Sequence, residues 1–222
     1  MRILLLILVL CSVQAGFAQS GEKLWSESIY TAREVWYLDK QEQEIIHELN
    51  KVRANPKQFA EEYLEELQAY FDGKVFTYPG RTSIVTKEGV SPLKECIEIM
   101  KKTEGMSMLK PSDGLSKASL LLTNDQQKKG GIGHISSNGS TPENRAKRYG
   151  EWNFCLAENI AYGSFDARQI VISLLIDDGV LDRSHRHNIL DPCFQFVGVS
   201  FGNHPSYQSV CVMDFAGDYK TK

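Results

Sequence analysis

The sequence predicts an α+β domain, on three observations. Amphipathic helical patterns fill the chain from Gln41 to about Leu122 and return at Ala167 to Ile176, β-branched and partly alternating runs close it between Val197 and Phe215, and no strand-helix-strand rhythm joins the two. Helices first and strands late argue for a sheet covered by helices, not a doubly wound parallel sheet.

Each element has a local cause. Ile45, Ile46, Leu49 and Val52 form the apolar stripe of a first helix, Gln41 to Val52. Asn55-Pro56 pairs a capping residue with proline at the first helical position and opens a second, Lys57 to Phe71, stopped near Asp72-Gly73. From Lys74 to Val90 the Gly, Pro and Thr content predicts an irregular connection with at most one short strand. Ser91-Pro92 starts a third helix to about Thr103, and Ser112 or Asp113 starts a fourth through Leu115, Ala118, Leu121 and Leu122. Lys129-Gly130-Gly131-Ile132-Gly133 then forces a loop that carries His134. Thr141-Pro142 restarts a short helix ending at Gly150, and Asp166 caps Ala167 to Ile176, with Gly179 just past its end. Val197 to Phe201 and Ser209 to Phe215, separated by Gly202-Asn203-His204-Pro205, predict antiparallel strands.

At the amino terminus Arg2 precedes eight apolar residues, Ile3 to Leu10, and small residues follow at Gly16 and Ala18. That is the pattern of a signal peptide, 1–18, cleaved after Ala18 or a residue or two later, and it predicts a secreted, extracellular protein with no membrane span. Cys11 falls within the removed segment; a lipoprotein anchor there would need a small residue in the place of Leu10. Residues 19–40 form an N-terminal arm, either a short packed helix or a loose segment, 41–217 a single domain, and 218–222 a C-terminal tail. A formal charge of −3, with lysines and arginines scattered among acids, excludes a general nucleic-acid binder. Four cysteines remain, Cys96, Cys155, Cys193 and Cys211, open to three pairings in an oxidising compartment; Cys193 with Cys211 is preferred, because they bracket the predicted hairpin.

The residues with chemical capacity lie in four stretches. His134 sits on the glycine-rich loop, Glu158 and Asn159 in the short apolar run Ala157 to Gly163, and Asp177-Asp178 at the end of a helix. His185 and His187 follow in Arg183 to Leu190. Two acids at a helix C-terminus oppose the macrodipole, so a cation or a hydrogen-bonded histidine close by would account for them. His47 falls in a helix beside Glu48 and reads as a surface or boundary residue.

Gly133-His134, Ala157-Glu158-Asn159-Ile160-Ala161-Tyr162-Gly163, Asp177-Asp178-Gly179-Val180 and Ser184-His185-Arg186-His187-Asn188-Ile189-Leu190, in this order, resemble the CAP superfamily (cysteine-rich secretory proteins, antigen 5 and pathogenesis-related proteins; the SCP domain) in its microbial form. The likeness runs from about Gln41 to Gly217. It implies a three-layer α-β-α sandwich with a central antiparallel sheet and a cleft tetrad of His134, Glu158, Asp177 and His185. Asp178 is the alternate to Asp177, and Arg145 and Asn159 brace the site. An aspartate stands where animal members commonly have glutamate, which shortens the reach toward a metal. The resemblance also implies binding of Zn2+ or another divalent cation by His134 and His185, or of a sterol or fatty acid; with no Gly-x-Ser-x-Gly elbow and no His-Glu-x-x-His helix, the chain reads as a monomeric, non-enzymatic protein.

Hydrolysis is the alternative, with Ser136, Ser137 or Ser184 activated by His134 or His185, or with Glu158 and Asp177 as a glycosidase pair. Asn138-Gly139-Ser140 is a formal glycosylation acceptor.

Overall fold

A computed structural model describes residues 25–163 and 166–222; the signal-peptide reading, with Cys11, lies outside them. The described part of the arm, 25–40, is packed: a 3-10 turn at Glu27–Ile29 leads into turns that bury Ile29, Ala32 and Leu38. Helix α1 (Lys40–Ala54) opens on a reciprocal capping box between Asp39 and Glu42. Asn55 caps α2 (Pro56–Tyr63), which gives way to a 3-10 stretch, Glu65–Tyr70, instead of continuing as one helix to Phe71. Three two-residue strands, β1 (Phe71–Asp72), β2 (Val75–Phe76) and β3 (Ile84–Val85), then form a small antiparallel sheet where at most one strand was expected.

Helix α3 (Ser91–Lys102), strand β4 (Lys110–Pro111), helix α4 (Asp113–Lys129) and helix α5 (Pro142–Tyr149) follow. Strand β5 (Gly150–Tyr162), helix α6 (Ala167–Ile176), helix α7 (Ser184–Leu190) and the hairpin β6 (Phe196–His204) and β7 (Gln208–Thr221) complete the chain. The main sheet has the order β4-β6-β7-β5, so β5 lies at an edge. Its long pairings are antiparallel, but the short β4–β6 pair is parallel, which makes the sheet mixed.

Strand alternation separates two layers of helix. Cys211, Met213 and Phe215 of β7 join Ala161 of β5 in the large core with α1, α2, α3 and α6. Val210, Val212 and Ala216 point the other way, toward Leu115, Ala118 and Leu122 of α4. The result is the three-layer sandwich expected.

Two expectations are corrected. Residues 218–222 are not a tail: β7 runs to Thr221, Trp152 pairs with Tyr219, and Tyr219 is buried. The disulfide joins Cys155 to Cys193, not Cys193 to Cys211, while Cys96 and Cys211 are free and buried. Register decides this, because Cys211 lies opposite Phe201 inside the core, whereas Cys193 precedes β6 altogether. Gly217 makes room for the bond, since a Cβ there would come within 2.7 Å of the Cys155 sulfur.

Candidate functional site

Glu158 and Asn159 are consecutive on the edge strand β5, so they face opposite sides of the sheet. Glu158 shares the α4 side with its register partner Asp214. One carboxylate oxygen meets His134 Nδ1 at 2.8 Å, and the other accepts a hydrogen bond from Arg145 Nη2. Arg145 is almost wholly buried; its Nη1 also donates to the carbonyls of His134 (3.0 Å) and Ser140 (2.9 Å) and to the Ser136 hydroxyl (3.2 Å). One guanidinium thus holds both the carboxylate and the backbone of the histidine loop. The loop is tied further by Gln126 Nε2, which donates to the Gly133 carbonyl at 2.7 Å, and by the Gly133 N–H, which donates to the Tyr162 hydroxyl at 3.0 Å. Glycine is required at Gly130 and Gly133, where φ is +68° and +82°.

The second pair is built at a helix junction. Asp177 ends α6 in the left-handed region (φ +58°), which aspartate tolerates better than most side chains. From there Oδ1 meets His185 Nδ1 at 2.6 Å and Oδ2 accepts the His185 backbone N–H at 2.9 Å. Helix α7 has no side-chain cap at Arg183, so Asp177 supplies its capping acceptor from outside. Asn159 Nδ2 donates to the His185 carbonyl at 3.0 Å, while its Oδ1 accepts from Asn188 at 2.8 Å. Asp178 serves elsewhere: its oxygens accept the backbone N–H groups of Lys87 and Glu88. His187 is exposed, and Arg186, buried, donates to the Leu175, Ile176 and Pro92 carbonyls and to Glu95.

The structure therefore brings His134 to Glu158 and His185 to Asp177 as two pairs against the two faces of one edge strand. Among the described residues no group of three or more His, Cys, Asp and Glu side chains is placed to hold a metal ion. A carboxylate only accepts, so each imidazole presents an Nδ1–H to its carboxylate, and Nε2 is the ring nitrogen that a neutral imidazole would offer to a ligand. Two such nitrogens fall short of the three or four protein ligands of ordinary zinc sites, so they suit a cation only if solvent or a second ligand completes the shell. His134 is the more open, with 47% of its side chain exposed against 19% for His185.

Beneath the first pair lies a residue the motif reading passed over. Asp214 is fully buried; Oδ2 accepts from the Ser119 hydroxyl at 2.8 Å and Oδ1 has no hydrogen-bonding partner. Burial, and then the charge of Glu158, push its carboxyl well above the usual carboxylate range. An acid within the apolar run Val210 to Phe215 was the available signal. His47 also departs from expectation, being buried and stacked on Tyr30 at 3.3 Å between ring centroids, not a surface residue.

Fold and site define a class: an α-β-α domain with histidine-carboxylate pairs along the edge of its sheet. The family model described as the cysteine-rich secretory protein family, CAP, matches residues 46–215, and the chain belongs to that family. No curated protein matches the chain. Among solved structures it is similar to an outer surface protein from Borrelia burgdorferi, at 19% identity and TM-score 0.43, over 56% of this chain and 88% of that one. It is also similar to an extracellular protein containing an SCP domain from Bacillus anthracis str. Ames, at 17% identity and TM-score 0.41, over 56% of this chain and 37% of that one. Among the described residues no helix is long and apolar enough to cross a membrane.

Proposed function

We propose that this is a secreted, non-enzymatic binding protein whose ligand engages the two imidazoles flanking β5, with a divalent cation such as Zn2+ as the simplest ligand. The supporting observation is that each histidine is oriented through Nδ1 by a buried carboxylate, the arrangement that fixes the ring of a metal-ligating histidine with Nε2 turned to the ligand. With only two protein donors, binding is weak and leaves coordination positions for a second ligand. Hydrolysis by Ser136 or Ser137 is disfavoured, because the Ser136 hydroxyl is engaged by Arg145 and the Ser137 hydroxyl by Asp125.

A lipid is the second reading, favoured by Ile132 and Ile135, which flank His134 and are both more than half exposed. Zinc titration by calorimetry tests the first, with His134→Ala, His185→Ala and the double variant alongside the wild type. Binding that both single variants lose supports one shared cation. No binding by the wild type overturns the cation reading and leaves displacement of a fluorescent fatty acid as the test of the second.

A further inference from the structure

The main sheet ends at β5, and the register of that strand says which of its backbone groups are left over. The Gly163 N–H donates to the Ser209 carbonyl at 3.2 Å, one step beyond the pair of Tyr162 with Val210. Hydrogen-bonded pairs of an antiparallel ladder recur at every second residue, so Ala157, Asn159 and Ala161 exchange their bonds with Phe215, Met213 and Cys211. The N–H and C=O of Glu158 and Ile160 therefore point away from β7, out of the sheet edge. Among the described residues nothing pairs with them. The same parity extends the open edge to Leu156 and Tyr162, over roughly 20 Å of strand.

This edge is a slot and not a flat rim. The Glu158 side chain holds His134 against one face of β5, and Asn159 holds the His185 carbonyl of α7 against the other. Solvent nevertheless reaches the floor. Glu158 is 7% exposed as a residue but only 1% in its side chain, so the open part is its main chain, whereas Asn159, bonded to β7, has no exposure. The β-bulge between Asn153 and Leu156 closes one end. Neither proline nor lysine, residues that commonly blunt an open edge, occurs from Leu156 to Tyr162. A second copy of β5 would bring its own histidine loop and helix against these walls, whereas a single extended strand fits between them.

We propose that this edge takes an extended peptide segment of another protein as an added strand, its main chain paired with that of Glu158 and Ile160 and its alternate side chains turned toward His134 and His185. Main-chain bonds supply the affinity in such a mode, and the groups beside alternate side chains supply the selectivity. Hydroxyl and amide side chains are the ones that can donate to a neutral imidazole at Nε2. The pairing needs no cation, so it stands or falls apart from the zinc reading of the same imidazoles.

Amide hydrogen exchange is followed by NMR on the purified chain in EDTA, with and without acetylated, amidated hexathreonine, a strand-favouring peptide that offers a hydroxyl to both walls. In the free protein the Glu158 and Ile160 amides should exchange fast and those of Asn159 and Ala161 slowly. At saturating peptide the first two should slow by about tenfold while the second two stay unchanged. The same peptide N-methylated at every residue keeps the side chains but loses the donors, and should bind about tenfold more weakly or worse. Slow exchange of Glu158 and Ile160 in the free protein would mean that the edge is already filled, by a second copy if dilution restores fast exchange and by the chain itself if it does not. Either result, equal binding of the methylated peptide, or no protection at millimolar hexathreonine would overturn the proposal.

Discussion

Glu158 and Asp214 stand opposite each other in register across β5 and β7, two carboxyls on one face of the sheet with almost no exposure between them. Their partners differ: Glu158 accepts from the Arg145 guanidinium, while Asp214 accepts only from a serine hydroxyl. An acid whose folded-state pKa is raised binds more protons in the native than in the unfolded state. Its contribution is therefore present at low pH and is lost as pH rises from about 4 toward the folded value. Asp214→Asn, which retains an acceptor for Ser119, should flatten that decline and raise the melting temperature near neutrality. Thermal scans from about pH 4 to pH 8 check this; a lower melting temperature at every pH would contradict it.

His47 pulls in the opposite direction. Burial is the main cause that lowers its pKa to about 4, and neither ring nitrogen has a hydrogen-bonding partner. The unfolded chain therefore binds more protons between about pH 6.5 and 4, and stability is lost on acidification through that window, on the order of 3 kcal/mol. His47→Phe keeps the stack on Tyr30 and removes the unpaired nitrogens. It should raise the melting temperature at pH 5 more than at pH 7, as calorimetric scans at the two values would show.

The tautomers are directly readable. Nitrogen-15 NMR should find the proton on Nδ1 of both His134 and His185. Asp177→Ala should release His185 to the Nε2–H form while leaving His134 unchanged, because the two pairs share no residue.

Thiol chemistry follows burial. Cys96, pushed up to about 12, and Cys211, raised further, should resist alkylation in the native protein and react only on unfolding. Replacing Cys155 and Cys193 by serine should cost about 2–4 kcal/mol in denaturant titration.

Gly198 marks a close approach of β6 to α4. A Cβ there would lie 2.0 Å from the Leu115 carbonyl carbon, a backbone atom with no freedom to yield. Gly198→Ala should destabilise the domain by roughly 3 kcal/mol or more, measured by urea unfolding.

What the sequence determined by itself was local. The capping signals at Asn55-Pro56, Ser112, Thr141-Pro142 and Asp166 marked helix starts that the structure keeps, because a cap is made within three residues of itself. The closing hairpin was legible from its turn and β-branched runs, and the ordered His, Glu and Asp phrases pointed to the family. Strand β5 was not legible, because Gly150 to Tyr162 alternates poorly and carries a register shift between Asn153 and Leu156 beside Phe154 at φ +71°. Helix α7 was equally hidden, as its capping carboxylate comes from Asp177 and not from its own first residue. Tertiary structure alone decided the disulfide partner, the separation of the four site residues into two pairs, and the burial of Asp214 and His47. Each depends on which face of a strand or helix meets which neighbour, and that is settled by packing between segments distant in the chain.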